Sequence, residues 1–126
     1  MGLQAASLQG RRILVVEDDY LVALALIGIL EQAGAWVLGP IGTLDEAIAV
    51  VENDGKSFDV AILDIDLHGR KSYPVADALA ARAVKVVFTT GYDASVIEGK
   101  YRQYPRCEKP CNADALVAAV AVAVKS

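Results

Sequence analysis

Short apolar runs recur along the chain, each cut off by charged or turn-forming residues. Ile13-Leu14-Val15-Val16 follows two arginines and stops abruptly at Glu17-Asp18-Asp19. Such a run is short for a helix and too continuously apolar for a strand with one wet face, so it predicts a buried strand over Arg12–Val16. The same pattern predicts strands at Trp36-Val37-Leu38, stopped by Gly39-Pro40, and at Val60–Leu63, ending on Asp64. A fourth follows at Lys85–Thr89, with a hydroxyl pair Thr89-Thr90 at its end, and a weaker fifth at Arg106-Cys107-Glu108. Between them lie helical patterns. Leu21, Leu24, Ala25 and Gly28 share one face of a segment that closes at Gly34. Thr43-Leu44-Asp45-Glu46 has the Thr-x-x-Glu form of a capping box and predicts a helix to about Asn53. The loop Asp66–Ser72 leads into a helix through Val75, Leu79 and Ala83, and Asp93–Tyr104, the least defined stretch, fits a short helix and a loop. Asn112 suits the N-cap of a last helix with Leu116, Val117, Val120 and Val124 inward. The Val-Ala alternation there also fits a strand, but Ala is a strong helix former and no turn interrupts the segment.

Five strand–helix units with strands this apolar imply an α/β fold, a doubly wound parallel sheet with helices on both faces. At 126 residues the chain suits one domain over residues 11–126, with residues 1–10 as a flexible tail. A hydrophobic content of 55% exceeds that of disordered chains. The net charge of -4 and a pI near 4.9, with no basic stripe, argue against nucleic acid as a direct partner. Cys107 and Cys111 are too few for a disulfide framework and lack further ligands for zinc, which points to free thiols in a reducing compartment. The start lacks the marks of a signal peptide, and no segment reaches the ~18 apolar residues of a membrane span, so a cytoplasmic protein is expected.

In a doubly wound sheet, sites form outside the carboxyl ends of the strands. Glu17-Asp18-Asp19, Asp64, Thr89-Thr90 and Lys109 all fall on that edge. Glu17, Asp18 and Asp64 would make a self-repelling carboxylate cluster suited to a hard cation, most naturally Mg²⁺. A carboxylate can also act as a nucleophile toward phosphorus, with a hydroxyl and an ammonium as fixed donors to the transferred oxygens. Asp19 is better suited to starting the helix than to binding metal.

These residues carry a resemblance. The runs Ile13–Asp19 and Asp59–Asp64, the pair Thr90-Gly91 and the pair Lys109-Pro110 resemble the receiver domain of two-component response regulators in order and spacing. The resemblance implies a flavodoxin-like sheet of order 2-1-3-4-5. It implies that Asp64 is the phospho-acceptor, that Asp18 binds Mg²⁺ directly, that Glu17 holds metal-bound water, and that Asp66 offers its backbone carbonyl. Thr90 and Lys109 would bind the phosphoryl group, and the Lys109-Pro110 bond is usually cis in the family. The segment Phe88-Thr89-Thr90-Gly91-Tyr92 is similar to the Phe-Ala-Thr-Gly-Tyr motif of a subset rich in single-domain regulators. The implied partners are a sensor histidine kinase or phosphotransfer protein and an unknown downstream protein, with the chain monomeric or dimerising on phosphorylation. Because it runs from Met1 to a full last helix without an output domain, a stand-alone switch, shuttle or sink is expected, signalling through the side formed by the fourth helix, fifth strand and last helix.

The sequence departs from the family at two places. Arg106 stands where the switch aromatic is usual, with Tyr92 as the candidate substitute, and His68 replaces the usual proline four residues after Asp64. Two other readings stay open. Asp64-Ile65-Asp66-Leu67 has the Asp-x-Asp form of aspartate-nucleophile phosphohydrolases, although it ends the third strand and not the first. An adaptor that never takes phosphate is the other.

Overall fold

The computed structural model describes residues 8–91 and 97–125. Among the described residues, seven strands and four α-helices follow one another in the order β1 Arg12–Val16, α1 Tyr20–Gln32, β2 Trp36–Ile41, α2 Leu44–Asp54, β3 Val60–Asp64, β4 Asp66–Leu67, β5 Arg70–Lys71, α3 Tyr73–Ala80, β6 Lys85–Thr90, β7 Arg106–Glu108 and α4 Ala113–Lys125. β2, β1, β3, β6 and β7 form one parallel sheet in that order. Counting only these five strands, the order is 2-1-3-4-5, as the receiver resemblance implies. β4 and β5 make a separate antiparallel pair.

The sheet separates two cores. Leu14, Val16, Ala61, Leu63 and Phe88 face α2 and α3, whereas Ile13, Val15, Val60, Ile62 and Val87 face α1 and α4. Every residue of β3 is buried, as a central strand covered on both faces requires. On the α2–α3 side the cover is aromatic. Tyr73 stacks on Tyr101 with ring centres 4.1 Å apart, and Phe88 meets Tyr73, Tyr101 and Tyr104 edge-on. Tyr101 also donates to Asp77 at 3.0 Å, so Tyr101 and Tyr104 are half-buried packing residues of this core.

Half of the capping box forms: the Glu46 N–H donates to Thr43 Oγ1 at 3.2 Å and α2 starts at Leu44, while the Glu46 carboxylate accepts from the Thr43 hydroxyl at 3.0 Å and not from its backbone N–H. Asn112 Oδ1 likewise accepts from the Ala115 N–H at 2.8 Å at the start of α4, which is a helix with Leu116, Val120 and Ala123 buried. The weak fifth strand is real and short.

Other expectations are corrected. The face of α1 made by Leu21, Leu24, Ala25 and Gly28 points outward, with Leu21 77% exposed, while Ala23, Leu26 and Leu30 are buried. The helix is apolar almost all round, so its periodicity carries little direction. With Val117 and Ala121 of α4 the outward face lines an open groove of about 940 Å³. Gly39-Pro40 does not stop β2, which runs on to Ile41 through a register shift opposite Leu14 and Val16. Gly39 permits this: its φ is 137°, and a Cβ there would lie 2.5 Å from the Val15 carbonyl oxygen. The third helix ends at Ala80, short of Ala83, which has a left-handed φ of 61°. The stretch Asp93–Tyr104 contains a 3₁₀ turn at Gly99–Gln103, and Tyr92 lies outside the described residues. At the other end Leu8, assigned to the tail from the sequence, is fully buried and its N–H donates to Ala33 O, so Leu8 belongs to the packed core.

Candidate functional site

The carboxyl edge of the sheet gathers the expected residues. Glu17 leaves β1 with its N–H on Ile41 O at 2.9 Å, and one carboxylate oxygen accepts from the Asp19 N–H at 3.0 Å. Asp19 itself caps α1, accepting from the Leu21 and Val22 N–H groups at 3.0 and 3.1 Å. One short turn thus orients Glu17 inward and leaves Asp18 at the mouth of the site.

Asp64 ends β3 and is buried. Its Oδ1 accepts from the Asp66 N–H at 3.2 Å. Its Oδ2 lies 2.9 Å from Lys109 Nζ, and the same ammonium is 2.8 Å from Glu17 Oε1. Carboxylate oxygens of Glu17, Asp18 and Asp64 come within 4.8 Å of one another. Oxygen donors so closely spaced fit Mg²⁺, which takes one or two carboxylates and keeps several waters. Thr90 ends β6 and is buried, and its carbonyl accepts from the Lys109 N–H at 2.7 Å. The Lys109-Pro110 bond is cis.

The electrostatics follow from this crowding. Burial pushes the Glu17 carboxyl up to about 7, partly offset by Lys109 and the Asp19 N–H and reinforced by Asp64. Burial alone would lower the Lys109 pKa, but Glu17 and Asp64 outweigh it and hold the ammonium above its ordinary value. Asp18 is also partly desolvated, yet the His68 N–H and Glu17 draw its pKa below the ordinary carboxylate value. The free thiol of Cys111 is pushed up to about 12 by burial and by neighbouring Cys107, which makes it a poor nucleophile.

The Asp66 carboxylate, general acid in the phosphohydrolase reading, pairs instead with Lys71 at 3.1 Å. Arg106 runs its guanidinium toward the preceding turn, donating to Arg102 O at 3.0 Å. One contact has no counterpart in the sequence reading. The loop after Asp64 is not irregular: β4 and β5 form a hairpin whose tip residue His68 donates its main-chain N–H to Asp18 Oδ2 at 3.0 Å. The only sequence signal for it is the pair His68-Gly69 between two short runs, weaker than the Asn-Gly pair that usually marks such turns.

A parallel sheet of order 2-1-3-4-5 with helices on both faces is the fold of receiver domains, and here its carboxyl edge carries a lysine-bridged carboxylate cluster. The sequence pattern of the response regulator receiver domain matches residues 13–121, and the chain belongs to that family. It is similar to SdrG from Sphingomonas melonis Fr1, whose solution structure superposes with a TM-score of 0.80 at 38% identity, covering 95% of this chain and 98% of that one. The crystal structure of the response regulator PhyR from Brucella abortus gives a TM-score of 0.80 at 27% identity over 96% of this chain and 51% of that one. The sensor protein TorS of Escherichia coli (strain K12) is 31% identical over 100 residues, 79% of this chain. The chain spans 11% of that curated relative's length. None of the helices among the described residues is long and apolar enough to cross a membrane.

Proposed function

We propose that the chain is a phosphorylation-controlled signalling switch in which Asp64 accepts a phosphoryl group from the histidine of a sensor kinase or phosphotransfer protein. The observation that carries this reading is the cluster of three carboxylates within 4.8 Å, two of them bridged by Lys109. An Asp64 oxygen attacks phosphorus as the phosphorus–nitrogen bond of the donor breaks; the donor's phosphorylated ring, protonated on its other nitrogen, leaves as neutral imidazole, and an aspartyl-phosphate remains. Glu17, Asp18, Asp64 and the Asp66 carbonyl would hold Mg²⁺, which supplies charge neutralisation for the transferred oxygens. Lys109 is already beside Asp64 and would pair with a phosphoryl oxygen. Thr90 would supply the hydroxyl donor, and its backbone tie to Lys109 would carry the resulting shift into β7.

The chemistry turns over only its own phosphoryl group, so the chain acts as a switch, shuttle or sink and not as an enzyme on other substrates. A cytoplasmic location, a downstream protein partner, and a monomer or phosphorylation-dependent dimer belong to the same reading. Arg106, a charged group at the family's ring position, favours one competitor, an adaptor that keeps the pocket without its chemistry.

Intact mass after incubation with Mg²⁺ and acetyl phosphate tests the assignment. Wild-type protein gains a single phosphate, and Asp64→Asn gains none. A folded wild-type protein that binds Mg²⁺ and takes no phosphate, from acetyl phosphate or from a phosphorylated donor domain, would establish the adaptor.

A further inference from the structure

Asp18 stands in the β1–α1 loop, yet its strongest partner comes from 50 residues away in sequence. The main-chain N–H of His68 donates to Asp18 Oδ2 at 3.0 Å, whereas the imidazole Nδ1 is 3.6 Å from the same oxygen on a side chain 65% exposed. The main-chain contact therefore dominates: it has hydrogen-bond length, and the imidazole does not. The N–H can be aimed this way because β4 and β5 are joined by two residues, His68 and Gly69, both with positive φ (51° and 81°). That is the requirement of a tight type I′ hairpin turn. The hairpin is fixed at its base by the buried side chains of Ile65 and Leu67 and by the Ser72 N–H on Ile65 O at 2.8 Å. The hairpin is thus tied to the core at its base, and its tip places the His68 N–H on one carboxylate of the cluster.

We infer that the His68-Gly69 turn is a positioning device for the cation site: the His68 N–H holds Asp18 in the orientation that binds metal and so sets the Mg²⁺ affinity of the cluster. The inference rests on the proposed Mg²⁺ site. A hydrogen bond to a ligating carboxylate from outside the coordination shell fixes its direction before the ion arrives, and loss of such partners costs about 10–100-fold in affinity. His68 therefore acts through its backbone, and any residue that tolerates the left-handed conformation serves in its place.

Position 69 offers a clean perturbation. A Cβ there meets nothing within 4 Å, so a substitution acts only through the backbone conformation. Gly69→Val disfavours a φ of +81° and opens the turn, Gly69→Asn tolerates it, and His68→Gly keeps the N–H while deleting the imidazole. Each protein is titrated with Mg²⁺ alone, without phosphoryl donor, following amide resonances by NMR. Gly69→Val should bind about tenfold more weakly than wild type, with its body resonances unshifted. Gly69→Asn and His68→Gly should bind as wild type does, and the His68 amide should move with the titration. Wild-type affinity in Gly69→Val, or equal loss in His68→Gly, overturns the inference while leaving the metal site intact. Wild-type protein that takes up no Mg²⁺ overturns the metal site and the inference together.

Discussion

At the amino edge of the sheet, the Arg12 N–H donates to Asp59 Oδ2 and its Nε to Ser57 O, both at 2.8 Å and both in exposed surroundings. At the carboxyl edge, Glu17, Asp64, Ser72, Thr89 and Thr90 are buried, and among the described residues they are the only buried polar or charged side chains. The same five strands supply both edges, so the contrast does not come from the scaffold. A wet hydrogen bond adds little to stability, and a buried carboxylate costs free energy unless something answers it. At the carboxyl edge the answer within the chain is Lys109, reaching two acids at once. An edge that concentrates unfavourable charge in this way is organised around what it will bind rather than around stability.

The largest effect in the folding equilibrium should follow from removing that answer. Lys109→Ala leaves Glu17 and Asp64 buried without a cation and should cost about 3 kcal/mol in the metal-free protein. Urea titration reads this loss, and saturating Mg²⁺ should recover part of it. If Lys109→Ala unfolds like wild type, the two edges are energetically alike and the comparison fails.

The next effect is a pH dependence. In the folded, metal-free protein the Glu17 carboxyl keeps its proton up to about pH 7, whereas its ordinary value is 4.5. Between those values the folded state binds more protons than the unfolded state. Its contribution to stability is therefore complete below the lower value and is lost as pH rises through the upper one. Denaturation at pH 5, 6, 7 and 8 should show stability falling across this window, and Glu17→Gln should flatten the slope and be more stable than wild type at pH 8. An unchanged slope in Glu17→Gln would assign the dependence to another group.

The smallest effect belongs to the wet edge. Asp59→Ala removes the acceptor for the Arg12 N–H and should cost about 0.5–1 kcal/mol. It should leave Mg²⁺ binding and phosphate uptake at wild-type levels, and a loss of either would couple the two edges.

The strands were legible because burial on both faces leaves a continuous apolar run, as in Val60–Leu63. Glu17, Asp18, Asp64 and Thr90 could be placed on the carboxyl edge from the sequence because each directly ends or follows such a run, whereas Lys109 follows only the weak fifth strand. Thr43 and Asn112 were legible as caps because an N-cap is a contact within three residues. What failed depends on partners distant in sequence. The buried side of α1 is chosen by α4 and the sheet, and a helix apolar all round does not announce it. The passage of β2 through Gly39 depends on the neighbouring Val15 carbonyl. The His68 contact depends on Asp18, 50 residues earlier.

The outward apolar face of α1 and the groove it shares with α4 govern how the molecule behaves in bulk solution. Tyr20, Leu21 and Leu24 present oily surface there that a lone molecule leaves in water. At neutral pH a net charge of -4 keeps molecules apart, but at a pI near 4.9 that repulsion vanishes. Concentrated samples therefore belong well above pH 5 and at modest ionic strength, where colloidal repulsion outweighs the pull between uncovered grooves.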